Sequence, residues 1–132
     1  MYDKTLTLAR LDAAQARIEA LGRNAANHEF SANLQEGMAI ASDILQALLA
    51  SEGKESDPDA DLLALWKTLV KGQPHWNTIR DNCRELVYYQ NCLAMDRADA
   101  LPPQPQKMLL HTLRHLYLYA RSHAEQSQEE TS

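Results

Sequence analysis

The sequence predicts an all-α fold, a four- to five-helix up-and-down bundle, and three observations carry that prediction. Strong helix formers, chiefly Ala, Leu, Gln, Glu and Arg, dominate the 132 residues, and β-branched residues are scarce. Apolar residues recur at spacings of three and four through five successive segments. Turns bearing glycine or proline separate those segments.

The first helix is expected over about Lys4 to Leu21, with Leu11, Ala14, Ile18 and Leu21 as its buried stripe and Gly22 as its C-terminal cap. The second runs from about Ser31 to Ala50 on Leu34, Met38, Ala41, Leu45 and Leu48 and ends at Gly53, so the two form an antiparallel hairpin. After the acidic turn Glu52 to Asp61, Asp57 and Pro58 supply an N-cap and a first-turn proline for helix 3, whose stripe is Leu62, Leu65, Trp66 and Leu69. Gly72 and Pro74 end it. Helix 4 follows from about Asn77 to Met95. The link Asp96 to Pro105 holds three prolines and is extended. Helix 5 spans about Gln106 to His123 on Leu109, Leu113, Leu116 and Ala120.

At 45% hydrophobic and 23% charged residues the chain reads as globular, and its length suits a single domain, placed at 1–123 with a disordered polar tail at 124–132. The formal charge of −5 argues against a broad nucleic-acid surface, which needs clustered Lys and Arg. Met1 to Arg10 lacks the apolar stretch of a signal peptide. No run approaches the roughly 20 apolar residues that cross a bilayer, so a cytoplasmic protein is expected. Cys83 and Cys92 are not spaced as a redox or zinc motif and read as reduced thiols.

Helices 4 and 5 carry more apolar surface than one core needs. On helix 4, Ile79, Cys83, Leu86, Gln90 and Leu93 share one stripe, while Tyr88, Cys92 and Met95 share another. Helix 5 adds Leu110, Tyr117 and Leu118 beside its main stripe. These six residues, Tyr88, Cys92, Met95, Leu110, Tyr117 and Leu118, are the expected partner-binding surface, in a chain expected to form a homodimer.

Arg23-Asn24-Ala25-Ala26-Asn27-His28 resembles the Arg-Asn-x-x-x-His signature of HEPN ribonucleases. The resemblance implies Arg23 and His28 as catalytic residues, meeting their counterparts across a dimer cleft to help an RNA 2′-hydroxyl attack its own phosphate. Read from the residues, the same segment is an interhelical turn in which Asn27 or Ser31 caps helix 2. His111 and His115, four apart, have the spacing of two imidazoles sharing a metal, against a solvated pair. Asp57, Asp59 and Asp61 start like an EF-hand loop but lack its later glycine and glutamate. Arg80 and Arg84 on helix 4 and Arg114 and Arg121 on helix 5 form a candidate basic patch.

In size, helicity and acidic charge the chain is also similar to small bacterial secretion chaperones. The reading that follows is a non-enzymatic protein-interaction module, a chaperone, adaptor or regulator without a cofactor. Two alternatives stand beside it: a HEPN-like ribonuclease or its inactive relative, and a small-ligand or metal-binding bundle.

Overall fold

A computed structural model describes residues 4–131, with side chains described through Gln126. Five helices follow in order: α1 (Lys4–Asn24), α2 (Phe30–Ser51), α3 (Leu62–Val70), α4 (Arg80–Ala94) and α5 (Pro105–Thr131). Short 3₁₀ turns at Ala25–Asn27, Pro74–Ile79 and Ala98–Ala100 punctuate them, and the described residues contain no strand. The expected all-α bundle is what forms. None of the described helices is long and apolar enough to cross a membrane.

Side-chain pairs fix the direction of each helix. Lys4 Nζ donates to the Glu125 carbonyl at 2.8 Å, Arg121 pairs with Asp12, and Arg114 lies 3.7 Å from Glu19, so α1 runs antiparallel to α5. Asn33 bonds Gln106 and Gly37 abuts Leu109, so α2 runs parallel to α5. Asn82 bonds His115 at 3.1 Å, and His75 stacks on His123, which sets the α4 side antiparallel to α5. α5 is thereby enclosed by α1, α2 and α4, while α3 packs on α2 and α4.

The core follows from the three-and-four spacing of apolar residues. Leu11 and Ile18 of α1, Ile40, Ile44 and Leu48 of α2, Leu65 and Leu69 of α3, and Leu113 and Leu116 of α5 are all buried. Each such side chain contributes about 1.5–3 kcal/mol by leaving water. The tightest approach is between α2 and α5. A Cβ on Gly37 would stand 2.9 Å from Leu109 Cδ1 and 3.3 Å from Leu113 Cδ1. Only glycine admits α5 that close.

Element boundaries differ from the sequence expectation in five places. α1 does not end at Gly22 but runs on to Asn24, because Gly22 faces Leu110 and Arg114 of α5 and is held in the helix by that packing. Neither Asn27 nor Ser31 caps α2; Glu29 occupies the N-cap without a side-chain bond. Asp61, not Asp57, caps α3: its carboxylate accepts from Ala64 N at 2.8 Å, whereas Asp57 closes a local turn on Asp59 N at 2.9 Å. The cap falls where Leu62 and Leu65 begin to bury, since packing decides between two competing aspartates. Pro74–Ile79 is a 3₁₀ turn that sinks Trp76 and Ile79 into the core, so α4 starts at Arg80 rather than Asn77. Finally, α5 continues through Thr131 and Ala124 is buried, so helix and core extend past the boundary expected after His123; the side chains of 127–131 and all of Ser132 lie outside the described residues.

Two helices end in the same six-residue reversal. After α2, Gly53 takes φ +69°, with Gly53 N bonded to Ala50 O and Lys54 N to Leu49 O. After α4, Asp96 takes φ +57°, with Asp96 N bonded to Leu93 O and Arg97 N to Cys92 O. Both satisfy carbonyls that the helix leaves without partners.

Replacing Gly37 with Leu forces Leu109 and Leu113 off their rotamers. The variant is expected to lose about 1–3 kcal/mol, read as a lower urea midpoint by circular dichroism. An unchanged midpoint would show that α2 and α5 are not packed this closely.

Candidate functional site

Three of the six expected partner-binding residues share one place on the surface. Tyr88, Cys92 and Met95 line a groove of about 460 Å³ together with Asn91, Arg97 and Ala100. The reversal after α4 forms its floor: Arg97 turns back over the helix end and pairs with Asp99 at 3.0 Å, and Tyr88 donates to the Ala100 carbonyl at 2.8 Å. Met95 is 72% exposed and Tyr88 45%. A second groove of about 630 Å³, lined by Leu63, Asp81, Arg84, Glu85, Val87, Tyr88 and Asn91, adjoins the first at Tyr88 and Asn91. The outer side of α4 therefore carries two adjoining grooves, the one at the Met95 end more apolar and the one at the Arg84 end charged.

The electrostatics there are local. The Cys92 thiol beside the Tyr88 hydroxyl raises the latter's pKa, Asp99 raises that of Arg97, and Arg97 holds the Asp99 carboxyl below its usual range. Cys92 itself is only 5% exposed, so it serves as a wall of the groove rather than an outward contact.

The other three residues belong elsewhere. Tyr117 is buried between α5 and α1, its hydroxyl donating to Gln15 Oε1 at 3.2 Å, and burial raises its pKa. Leu110 is half-buried against the core. Leu118 is exposed but lines a different groove, with Gln15, Ile18, Glu19, Arg114 and Tyr117. Helix 5 is apolar around most of its girth because three helices surround it. The helix 4 stripe also shifts: Gln90 is exposed and Leu93 partly so, while Tyr89 is fully buried, edge-on to Phe30 at 6.1 Å between ring centres. Two adjacent tyrosines hid this, since only packing tells which of Tyr88 and Tyr89 turns inward.

The candidate basic patch does not gather. Arg80 lies 3.7 Å from Asp81, Arg114 is held by Glu19, and Arg121 by Asp12 and Glu125, while Arg84 shares its groove with Asp81 and Glu85. Arg23 closes α1, whereas His28 follows the 3₁₀ turn in extended backbone, so the two are not presented from one helix. His28 lines a groove of about 350 Å³ with Arg17, Asn24, Asn33 and Glu36, and Arg23 is not among its walls. Arg17 in that groove is tied to Glu36 at 2.9 Å and to Asp43, and the Glu36 hydrogen bond raises its pKa. His111 and His115 are exposed, and His115 Nδ1 is already bonded to Asn82.

A different histidine set does converge. Glu52 at the end of α2, His75 in the 3₁₀ turn and His123 on α5 each offer one ligand atom, all within 4.8 Å of one another. The His75 and His123 rings stack with centres 4.4 Å apart, and Trp76 meets His123 edge-on at 4.6 Å. Glu52 Oε1 and His75 Nε2 are buried without a hydrogen-bond partner. Separations of 23 and 48 residues between these three leave no motif to read.

No protein-family model matches the chain, and no curated protein or solved structure matches it. What the fold and these places define is a class: a five-helix bundle with open grooves along α4 and a half-buried histidine–carboxylate cluster at one end.

Burial pushes the Cys83 thiol up to about 12. In the native protein at pH 8 Cys83 is expected to resist a thiol-specific disulfide reagent and to react once urea unfolds the chain. Because its folded pKa is the higher one, its contribution to stability is present below the unfolded thiol range and is lost as pH rises toward 12. Rapid native labelling of Cys83, located by mass spectrometry, would contradict that burial.

Proposed function

We propose that this protein is a non-enzymatic interaction module that binds a segment of another protein along the outer side of α4. The observation that carries this reading is the grouping of Tyr88, Cys92 and Met95, with Arg97, around one open groove. A large thioether and an aromatic ring side by side on a helix surface suit an apolar anchor residue from a partner, because methionine adapts its shape and tyrosine brings both area and a polar tip. The charged neighbour groove, with Asp81, Arg84 and Glu85, supplies a polar rim beside that apolar pocket, the arrangement common to protein interfaces.

Two exposed large apolar side chains on this face are few for a permanent dimer, whose interface buries about 1,200–2,000 Å² or more. A small, reversible contact with a partner segment fits them better than the homodimer expected from sequence. An adaptor or chaperone-like role follows from such a contact. Tyr117, buried, and Leu110, half-buried against the core, lie away from that groove.

The test is selection of a random peptide library on the full chain, followed by fluorescence polarisation of the enriched peptides. Met95→Asp and Tyr88→Asp are expected to weaken binding at least about tenfold, a loss of about 1.4 kcal/mol, while Leu118→Asp leaves it unchanged. Enriched peptides indifferent to Met95 and Tyr88 would refute the site. A stable dimer by light scattering, broken by Met95→Asp, would reassign the face to a second copy of the chain.

A further inference from the structure

We infer that Glu52, His75 and His123 bind one divalent transition-metal ion of borderline softness, with Zn²⁺ the best match. Two imidazole nitrogens and one carboxylate oxygen are a donor set that suits zinc, whereas calcium and magnesium take oxygen ligands. A tetrahedral ion with bonds of about 2.0–2.2 Å sets its ligands about 3.4 Å apart. The three ligand atoms lie within 4.8 Å of one another, so small side-chain rotations bring them to that spacing.

The strongest sign is an orphaned imidazole nitrogen beside a water-shielded carboxylate. A buried donor or acceptor left without a partner costs about 1–3 kcal/mol, and such atoms are rare in folded proteins. Here His75 Nε2 is in that state, and the neighbouring Glu52 Oε1, also shielded from water, makes no hydrogen bond and has only the Lys54 ammonium at 3.2 Å. An ion between the two side chains gives His75 its missing partner and gives the Glu52 carboxylate a second cation. The surroundings hold the ligands in place as outer partners do in metal sites. Trp76 Nε1 donates to Glu52 Oε2 at 2.8 Å, which leaves Oε1 as the coordinating oxygen. The Tyr119 hydroxyl donates to the His75 carbonyl at 3.0 Å and fastens the 3₁₀ turn to α5.

Lys54 modulates this site. Its Nζ lies 3.2 Å from Glu52 Oε1 and donates to the carbonyls of Thr68, Leu69 and Lys71 at the end of α3. Those three bonds hold the ammonium where it is, and its charge opposes a second cation. The affinity expected is therefore micromolar rather than the far tighter binding of an all-ligand structural finger. With donors from the end of α2, the 3₁₀ turn and α5, the ion acts as a staple across chain segments distant in sequence. The site is separate from the α4 grooves, and none of the grooves described above is lined by its donors.

The decisive experiment titrates chelator-treated full-length protein with zinc chloride at neutral pH, in competition with a chromophoric chelator. One ion per chain is expected, with a Kd below about 10 μM and a rise in Tm that grows with zinc concentration. His75→Gln and His123→Gln are expected to weaken binding by about 100-fold or more, and the double change His111→Gln with His115→Gln to leave it unaltered. Absence of stoichiometric binding, or binding that follows His111 and His115, overturns the assignment. Should His75→Gln fail to fold, imidazole ¹⁵N shifts of the unaltered protein decide. Shifts of His75 and His123 on adding one equivalent of zinc support the site, and their silence overturns it.

Discussion

Helix α5 enters the bundle along Gly37 of α2, and the rest of the structure is arranged around that contact. A side chain at Gly37 would collide with Leu109 and crowd Leu113, so the absence of a Cβ sets how near the two helices lie. With α5 seated there, α1 closes on it antiparallel, through Asp12–Arg121 and Glu19–Arg114 at the surface and Tyr117 beneath. α4 then covers the remaining side. Three neighbours cover most of the apolar girth of α5, burying Tyr117 and half-burying Leu110 while Leu118 stays exposed.

The same placement builds the polar end of the molecule. Gly53 turns the chain back after α2, and that reversal leaves Glu52 at the helix end and aims Lys54 at the carbonyls of α3. The 3₁₀ turn Pro74–Ile79 drives Trp76 into the core, where its indole reaches Glu52, and carries His75 onto His123. Helix α5 brings His123 between the buried Ala120 and Ala124. Three ordinary local events thus make one cluster, and its convergent donors, with His75 Nε2 lacking a partner, are the reason to read it as a binding place.

The two places differ in what they can recognise. The grooves on α4 are open and shaped by flexible or amphipathic side chains, which suits a reversible contact. The end cluster is enclosed by Trp76 and Tyr119 and presents hard-placed donor atoms, which suits a single ion. Cys83, deep in the core with a raised pKa, belongs to neither.

By itself the sequence determined the all-α class, the five helices and most of the buried stripe, because spacings of three and four on strong helix formers depend only on helix geometry. Leu11, Ile18, Leu45, Leu65 and Leu113 were legible in this way. The grouping of Tyr88, Cys92 and Met95 was legible too, since neighbours on one helix face stay neighbours in any packing. Tertiary structure alone decided that Tyr89 turns inward, that Asp61 rather than Asp57 caps α3, that Tyr117 is internal and Leu110 half-buried, and that Arg114 and Arg121 pair with acids of α1. It alone decided the convergence of Glu52, His75 and His123. Each of these depends on which helix lies against which, and local periodicity holds no information about contacts between residues tens of positions apart.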